Sequence, residues 1–204
     1  MSRYTGPVVR LSRRLGTLLF ANGQSKIKAF NKKKYKPGEH GLKRFSQVSE
    51  YSKQLQEKQK ARFMYGITEK QCRKYYDMAS KSENITGEEF LKLLERRLDN
   101  VIFRAGLAAT RPQARQIVNH GLVNLNGKKV NVPSIVINEG DSFEVREKSK
   151  GSRLFEDAKN VKYRPPKWLN VDLNNLKGQT IALPDQDDIE HVIDSQLIVE
   201  FYSK

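Results

Sequence analysis

Lysine and arginine are the residues whose number and spacing promise chemistry in this sequence, and that chemistry is charge neutralisation, not bond making. Catalytic and metal-binding arrangements are poorly represented. Glu39 and His40 could be drawn as an acid and base pair, yet they sit in the loop PGEHG with no nucleophile or metal ligand nearby, and a turn is the better account. His191 has no partner at metal-ligand spacing, and His120, just before Gly121, reads as a helix-end residue. Asp185, Asp187 and Asp188 lack the glycine and terminal glutamate of a calcium loop. Cys72 is the only cysteine, so neither an intrachain disulfide nor a cysteine-cluster metal site can form; on an apolar helical face it is a packing residue. The expectation is a non-enzyme with no cofactor, no metal and no small-molecule substrate.

The cations have a marked distribution. Among 204 residues there are 38 Lys and Arg against 23 Asp and Glu, a formal net charge of +15 that points to a polyanionic partner. Residues 1–75 hold 19 basic and 4 acidic residues, so the whole excess lies in the first third. Arg10, Arg13, Arg14, Lys32, Lys33 and Lys34 there, interleaved with Tyr4, Phe20, Phe30 and Tyr35, suit a chain that follows a phosphate backbone, because many distributed cations release condensed counterions. Beyond Pro165 the balance reverses to three basic and seven acidic residues, and that tail is not expected to lie along phosphate. No apolar stretch approaches the roughly 20 residues that span a bilayer. The beginning, MSRYTGPVVRLSRRLG, has no apolar core of signal-peptide length, so a cytoplasmic location is expected.

These cations need elements to hold them. Residues 1–45 show little periodicity and are interrupted by Gly, Pro, Asn and Lys, which predicts an extended arm ordered only against a partner or the rest of the protein. Over residues 48–66 a helical pattern places Val48, Tyr51, Leu55 and Phe63 on one face and the run EKQK on the other, the latter exposing Lys58 and Lys60, with Arg62 following. Thr68 and Gln71 have capping-box spacing before a helix carrying Cys72, Tyr75, Tyr76 and Ala79. Thr86 with Glu89 repeats that spacing, and Phe90, Leu91, Leu94, Leu98 and Val101 then mark one apolar face.

A second helix should begin at Thr110 as N-cap, with Pro112 in its first turn and Gly121 at its end. Ala114, Ile117 and Val118 face inward, so Arg111, Arg115 and Asn119 share the outer face. The Asn126-Gly127 pair predicts a tight hairpin that displays Lys128 and Lys129, and residues 142–145 read as a further strand. With Arg96, Arg97 and Arg104 these cations could form a compact surface for a shaped RNA, since A-form RNA is read mainly through backbone and shape. Ordinary charge on an amphipathic helix is the competing account. In the tail, residues 180–183 and 197–202 read as short strands.

The run LLERRLDNVIFRAGLAATRPQARQIVNHGLVNLNGKKVNVPS closely resembles the RNA-binding module of bacterial small-subunit ribosomal protein four. RYTGPVVRLSRRLG, PGEHG, QLQEKQKARFMYGITEKQCRKYY and the ending LIVEFYSK resemble the same family in the same order, covering nearly the whole chain. The module also occurs in some pseudouridine synthases, tyrosyl-tRNA synthetases and small stress-related RNA binders; the five ordered blocks are specific.

The resemblance implies a structural protein of the small subunit that binds the 5′ domain of its rRNA directly and nucleates assembly of the subunit body. It further implies a place on the mRNA entry channel, at Lys43 and Arg44 here, and a contact with ribosomal protein five that influences decoding accuracy, at Ile198, Val199, Phe201 and Tyr202. His120 would then lie near RNA. Some members bind zinc through N-terminal cysteines, which are absent before Cys72, so no structural zinc is expected.

The expected architecture is α+β. A basic extended rRNA-binding arm (1–45) precedes a helical domain (46–92). An RNA-binding module of two helices and a short sheet (93–157) is inserted before a C-terminal segment (158–204), which packs on the helical domain and touches a neighbouring ribosomal protein. A free-standing RNA-binding or chaperone protein carrying the same module is the alternative.

Overall fold

A computed structural model of the chain describes residues 4–19, 24–42, 48–160, 165–189 and 192–203. It is an α+β protein of two compact units, Met1–Phe90 with Glu190–Lys204, and Leu91–Ile189. Lys43 and Arg44 lie outside the described residues.

The first unit is helical. Helices α1 (Val8–Leu15) and α2 (Gln24–Lys32) occupy the stretch expected to be extended, which corrects that expectation. The reason is visible in α1: Leu11 and Leu15, four residues apart, are buried together with Leu19 of the following turn, while Arg10 and Arg14 stay exposed. Gly16 closes α1 in the left-handed region at φ 70°, and the Ser12 hydroxyl accepts a hydrogen bond from the Leu19 amide at 3.3 Å. Helices α3 (Glu50–Met64) and α4 (Glu69–Ala79) follow, α4 starting in the reciprocal capping box of Thr68 and Gln71. Helix α5 (Thr86–Glu95) has Thr86 as its first residue, not as its cap.

The face of α3 that is buried is not the one its apolar residues suggest. Gln54, Lys58, Ala61 and Met64 are inside, whereas Val48 and Tyr51 are exposed. The cause lies far along the chain. Residues 195–202 form a helix, α10 (Ser195–Tyr202), capped by Asp194 and packed on α3, not the strand expected from their β-branched run. Gln54 Nε2 donates to Glu200 at 2.9 Å, and the Lys58 ammonium lies 4.3 Å from the centre of the Phe201 ring. Lys58 Nζ and the Tyr202 hydroxyl both donate to Glu69 Oε1 at 2.9 Å. Lys58 is thus an internal cation, which corrects its expected exposure.

The second unit contains α6 (Leu98–Arg104), α7 (Arg111–Asn119), β1 (Val123–Leu125), β2 (Lys128–Val130), β3 (Ser142–Val145), α8 (Glu147–Lys150), α9 (Arg153–Asn160), β4 (Leu169–Asp172) and β5 (Lys177–Thr180). The strands form one antiparallel sheet in the order β2-β1-β3-β5-β4. Leu98, Val101 and Ile102 of α6, Ala114, Ile117 and Val118 of α7, and Val123, Phe143 and Val145 of the sheet form one core with Phe155, Trp168 and Leu176. A Cβ at Gly178 would overlap the Phe143 ring on the paired strand, so that ring packs directly on bare backbone. The tail therefore divides: β4 and β5 extend the module's sheet, and only α10 returns to the first unit.

Burial pushes the Glu69 carboxyl upward, but hydrogen bonds from Lys58 and Tyr202 and the charges of Lys58 and Arg62 outweigh it and hold it below the usual carboxylate range. A depressed native pKa stabilises the fold above the unfolded value, near 4.5, and that contribution is lost as pH falls through the native value. Urea midpoints of the parent and Glu69→Gln should therefore differ at pH 7 and converge toward pH 3. A pH-independent gap would refute the anchoring of α10 through this carboxylate.

Candidate nucleic-acid interface

The module's cations are positioned by a break in the helix pattern. Helix α5 stops at Glu95, and Arg97 adopts extended backbone (φ −65°, ψ 136°) with a bridge to Val136 before α6 begins. The Leu98 amide donates to the Ile135 carbonyl and the Ile137 amide to the Arg96 carbonyl, each at 2.8 Å. Arg96 turns outward, donating from Nε to the Ile137 carbonyl and from Nη2 to Asn138 Oδ1. Arg97 turns inward and is fully buried. Its guanidinium grips Asp99 with a fork, Nε to Oδ1 at 3.0 Å and Nη2 to Oδ2 at 2.7 Å.

A second fork lies beside the first. Arg104 donates from Nε and Nη2 to the two oxygens of Glu95, both at 2.9 Å, and the Glu95 side chain is only 1% exposed. Asn100 joins the two systems: its amide nitrogen donates to Glu95 Oε2 at 2.6 Å, its side-chain oxygen accepts from Arg111 Nε at 2.8 Å, and its backbone amide donates to Asp99 Oδ1 at 2.9 Å. Arg111 Nη2 stands 4.0 Å from Glu95, and its guanidinium lies 4.7 Å from the centre of the Phe103 ring. Arg115 Nη1 is 3.9 Å from Asp99. Among the described residues, four guanidiniums thus gather around two carboxylates. Arg104, Arg111 and Arg115 retain 13–15% side-chain exposure, so the edges of these guanidiniums reach the surface.

Helix α7 is set against this cluster by its own ends. Thr110 Oγ1 accepts from the Gln113 amide at 3.2 Å, Gln113 Oε1 accepts from the Ala109 amide at 2.9 Å, and Pro112 occupies the first turn. Gly121 ends the helix at φ 63°, with the Lys129 stem lying where a Cβ would project. Arg146 Nη1 donates to the Gly121 carbonyl at 3.1 Å. The hairpin turn has Asn126 and Gly127 at φ 48° and 75°, and Asn126 Oδ1 accepts from the Ser142 amide at 2.8 Å. Lys128, Lys129 and His120 are exposed; Asn119 is half-buried.

Arg111 and Arg115, expected to project from the outer face of α7, are instead half-buried and tied to the acidic pair. Arg97, expected among the surface cations, is buried, because Asp99 draws its guanidinium inward; sequence reasoning missed Glu95, Asp99 and Arg146. The alternating signs in ERRLDN were the available signal, since a helix interior carries such residues inward only as pairs.

In the first unit, Arg10, Arg14, Lys32, Lys33 and Lys34 are exposed. Arg13 donates from Nε to the Tyr35 carbonyl at 3.0 Å and lies over that ring. Lys60 pairs with Glu57, and Arg62 lies 3.5 Å from Glu69 and over the Phe63 ring. Ile198, expected to meet a protein partner, is buried within the unit, which corrects that expectation; Val199, Phe201 and Tyr202 are half-buried. Burial, foremost, raises the Cys72 thiol to about 11, so it stays protonated and inert at neutral pH. Among the described residues no group of three His, Cys, Asp or Glu side chains could hold a metal ion, and no helix is long and apolar enough to cross a membrane.

Removing Asp99 would leave the buried Arg97 guanidinium without its fork. Asp99→Ala is expected to cost about 3–5 kcal/mol, read from urea unfolding of the full chain. A loss below about 1 kcal/mol, the scale of surface pairs, would mean that this pair does not organise the module.

Residues 3–95 match the family model described as the ribosomal protein S4/S9 N-terminal domain, and residues 96–143 match the S4 domain. The chain is 47% identical over 209 residues to the small ribosomal subunit protein uS4 of Halothermothrix orenii, with all of both chains covered. The uS4 proteins of Desulfitobacterium hafniense and Caldicellulosiruptor saccharolyticus are 49% and 50% identical, again over the whole of each chain. On two adjoining family matches and full-length identity at this level, the chain belongs to the S4 family, that of small ribosomal subunit protein uS4.

Proposed function

We propose that this protein is a structural component of the small ribosomal subunit in the cytoplasm, that it binds the 5′ domain of the subunit's rRNA directly, and that this contact nucleates assembly of the subunit body. The observation that carries the reading is the module's arginine arrangement, in which Arg104, Arg111 and Arg115, braced on buried carboxylates, reach the surface of a module that also exposes the hairpin lysines. Such a surface suits phosphates held in fixed positions by a folded RNA. The exposed Arg10, Arg14 and Lys32–Lys34 supply the distributed cations that a backbone-following contact needs. The full-length match to proteins named for the small subunit favours this role over a free-standing RNA binder. It also gives no place to a catalytic function.

In the same reading, Lys43 and Arg44 line the mRNA entry channel, and α10 contributes to the contact with ribosomal protein five that influences decoding accuracy. Because Ile198 is buried, that contact falls to the partly exposed Val199, Phe201 and Tyr202.

Arg111→Ala, Arg115→Ala and Lys128→Ala should each weaken binding to a 5′-domain rRNA transcript and lower the slope of log K against log salt by roughly one. Slopes equal to the parent's would remove these residues from the interface. Replacing Lys43 and Arg44 together by alanine should slow translation through structured mRNA while leaving affinity for that transcript nearly unchanged. A large loss of rRNA affinity or subunit assembly would instead place them on rRNA.

A further inference from the structure

We infer that Glu95 and Asp99 are positioning residues for RNA recognition, holding Arg104 and Arg111 in a fixed array so that phosphate meets cations already in place. This rests on the reading that RNA lies on the α7 surface.

By charge alone the two carboxylates work against a polyanion, because each lowers the positive potential of the surface that must attract it. Both are nevertheless placed where they touch several arginines and almost no solvent: Glu95 is 1% and Asp99 6% exposed at the side chain. What they supply is geometry. Arg104 is held by a two-pronged grip on Glu95, which fixes the plane of its guanidinium. Arg111 is held indirectly. Glu95 Oε2 accepts from the Asn100 amide nitrogen, which orients the Asn100 carbonyl oxygen toward Arg111 Nε. The backbone amide of Asn100 is fixed in turn by Asp99 Oδ1, the same atom that Arg97 Nε engages. The Phe103 ring backs the Arg111 guanidinium from the other side.

A flexible arginine must lose rotamer freedom on meeting a phosphate, and one already tethered by a carboxylate or amide has lost it before the RNA arrives. Arginines set at fixed separations also favour an RNA whose phosphates match that spacing over one whose phosphates do not. The carboxylates should therefore raise discrimination more than overall attraction.

Glu95→Gln separates these effects, since it keeps the shape of the side chain while adding one unit of positive charge. Full-length protein would be titrated against a 5′-domain rRNA transcript and an unrelated RNA duplex of equal length, with the active fraction set by stoichiometric titration. Positioning predicts at least a tenfold loss of affinity for the transcript while affinity for the duplex is unchanged or rises. Tighter binding to both RNAs would show that the carboxylate acts only as a charge. A lower melting temperature and active fraction with both affinities intact would show that it serves only the fold. Either result overturns the inference.

Asn100→Ala keeps the partners of both arginine forks and removes the bridge to Arg111 together with the Asn100 bonds to the Glu95 carboxylate and carbonyl, so its melting temperature is read alongside. It should cost three- to tenfold on the transcript and nothing on the duplex, and it keeps the test decisive if Glu95→Gln fails to fold. Arg111→Ala is the control for the underlying reading. Should it leave transcript affinity unchanged, the α7 surface is not the RNA face and both ideas fall. Should it weaken binding while Glu95→Gln and Asn100→Ala do not, only the positioning role fails.

Discussion

A guanidinium can be withdrawn from water only if an anion goes with it, and the fully buried Arg97 meets that condition through Asp99, two residues away. A continuous helix would carry residues 97 and 99 to widely separated faces, so the short fork between them requires the helix to stop and restart. The extended conformation of Arg97 is that interruption, and its bridge to Val136 ties the break to the loop that follows the β1–β2 hairpin. From it follow the direction of α6, the seating of α7, and the gathering of four arginines around two carboxylates. One buried ion pair thus links the module's fold to its surface charge.

The same logic divides the chain's cations into two populations. Lys58, Lys60, Arg97 and Arg104 are held against acidic side chains, and Lys58 also lies beneath the aromatic rings of α10. Arg10, Arg14, Lys32–Lys34, Lys128 and Lys129 are exposed. Arg111 and Arg115 stand between these groups, tethered yet partly at the surface. Net charge alone cannot distinguish the populations, because a buried pair and two separated surface charges of opposite sign contribute equally to the sum.

Legibility in the sequence followed the range of the interactions involved. The Thr68–Gln71 capping box, the Thr110 cap with Pro112, and the Asn126-Gly127 turn are settled within a few residues and stand as the sequence indicates. Strand β3 begins and ends where its pattern does. The failures depend on distant partners. Leu197–Tyr202 has the β-branched and aromatic content of a strand, and it becomes helical through the Asp194 cap and its packing on α3. The buried face of α3 is polar because Glu200 and Phe201 meet Gln54 and Lys58, a pairing across more than a hundred residues. Strands β4 and β5 are only four residues each; β5 pairs with β3 and β4 pairs in turn with β5, so both depend on a distant edge. In α1 the leucine spacing was present, but eight residues within a Lys- and Gly-rich stretch were too few to stand out.

The candidate site was legible as composition and hidden as arrangement. Helical spacing places Arg111, Arg115 and Asn119 together on α7, correctly, but it describes one helix in isolation and so aims all three at solvent. The end of α5 and the neighbouring α6 bring Glu95, Asp99 and Asn100 under that face, converting long mobile side chains into constrained ones. A constrained array and a row of free lysines answer different demands. Free cations follow any phosphate backbone and lose their hold as salt rises, whereas a tethered array rewards the one RNA shape that fits it. In the function proposed, the exposed cations of the first third serve attraction, the braced arginines of the module serve discrimination, and the carboxylates beneath α7 belong to the latter.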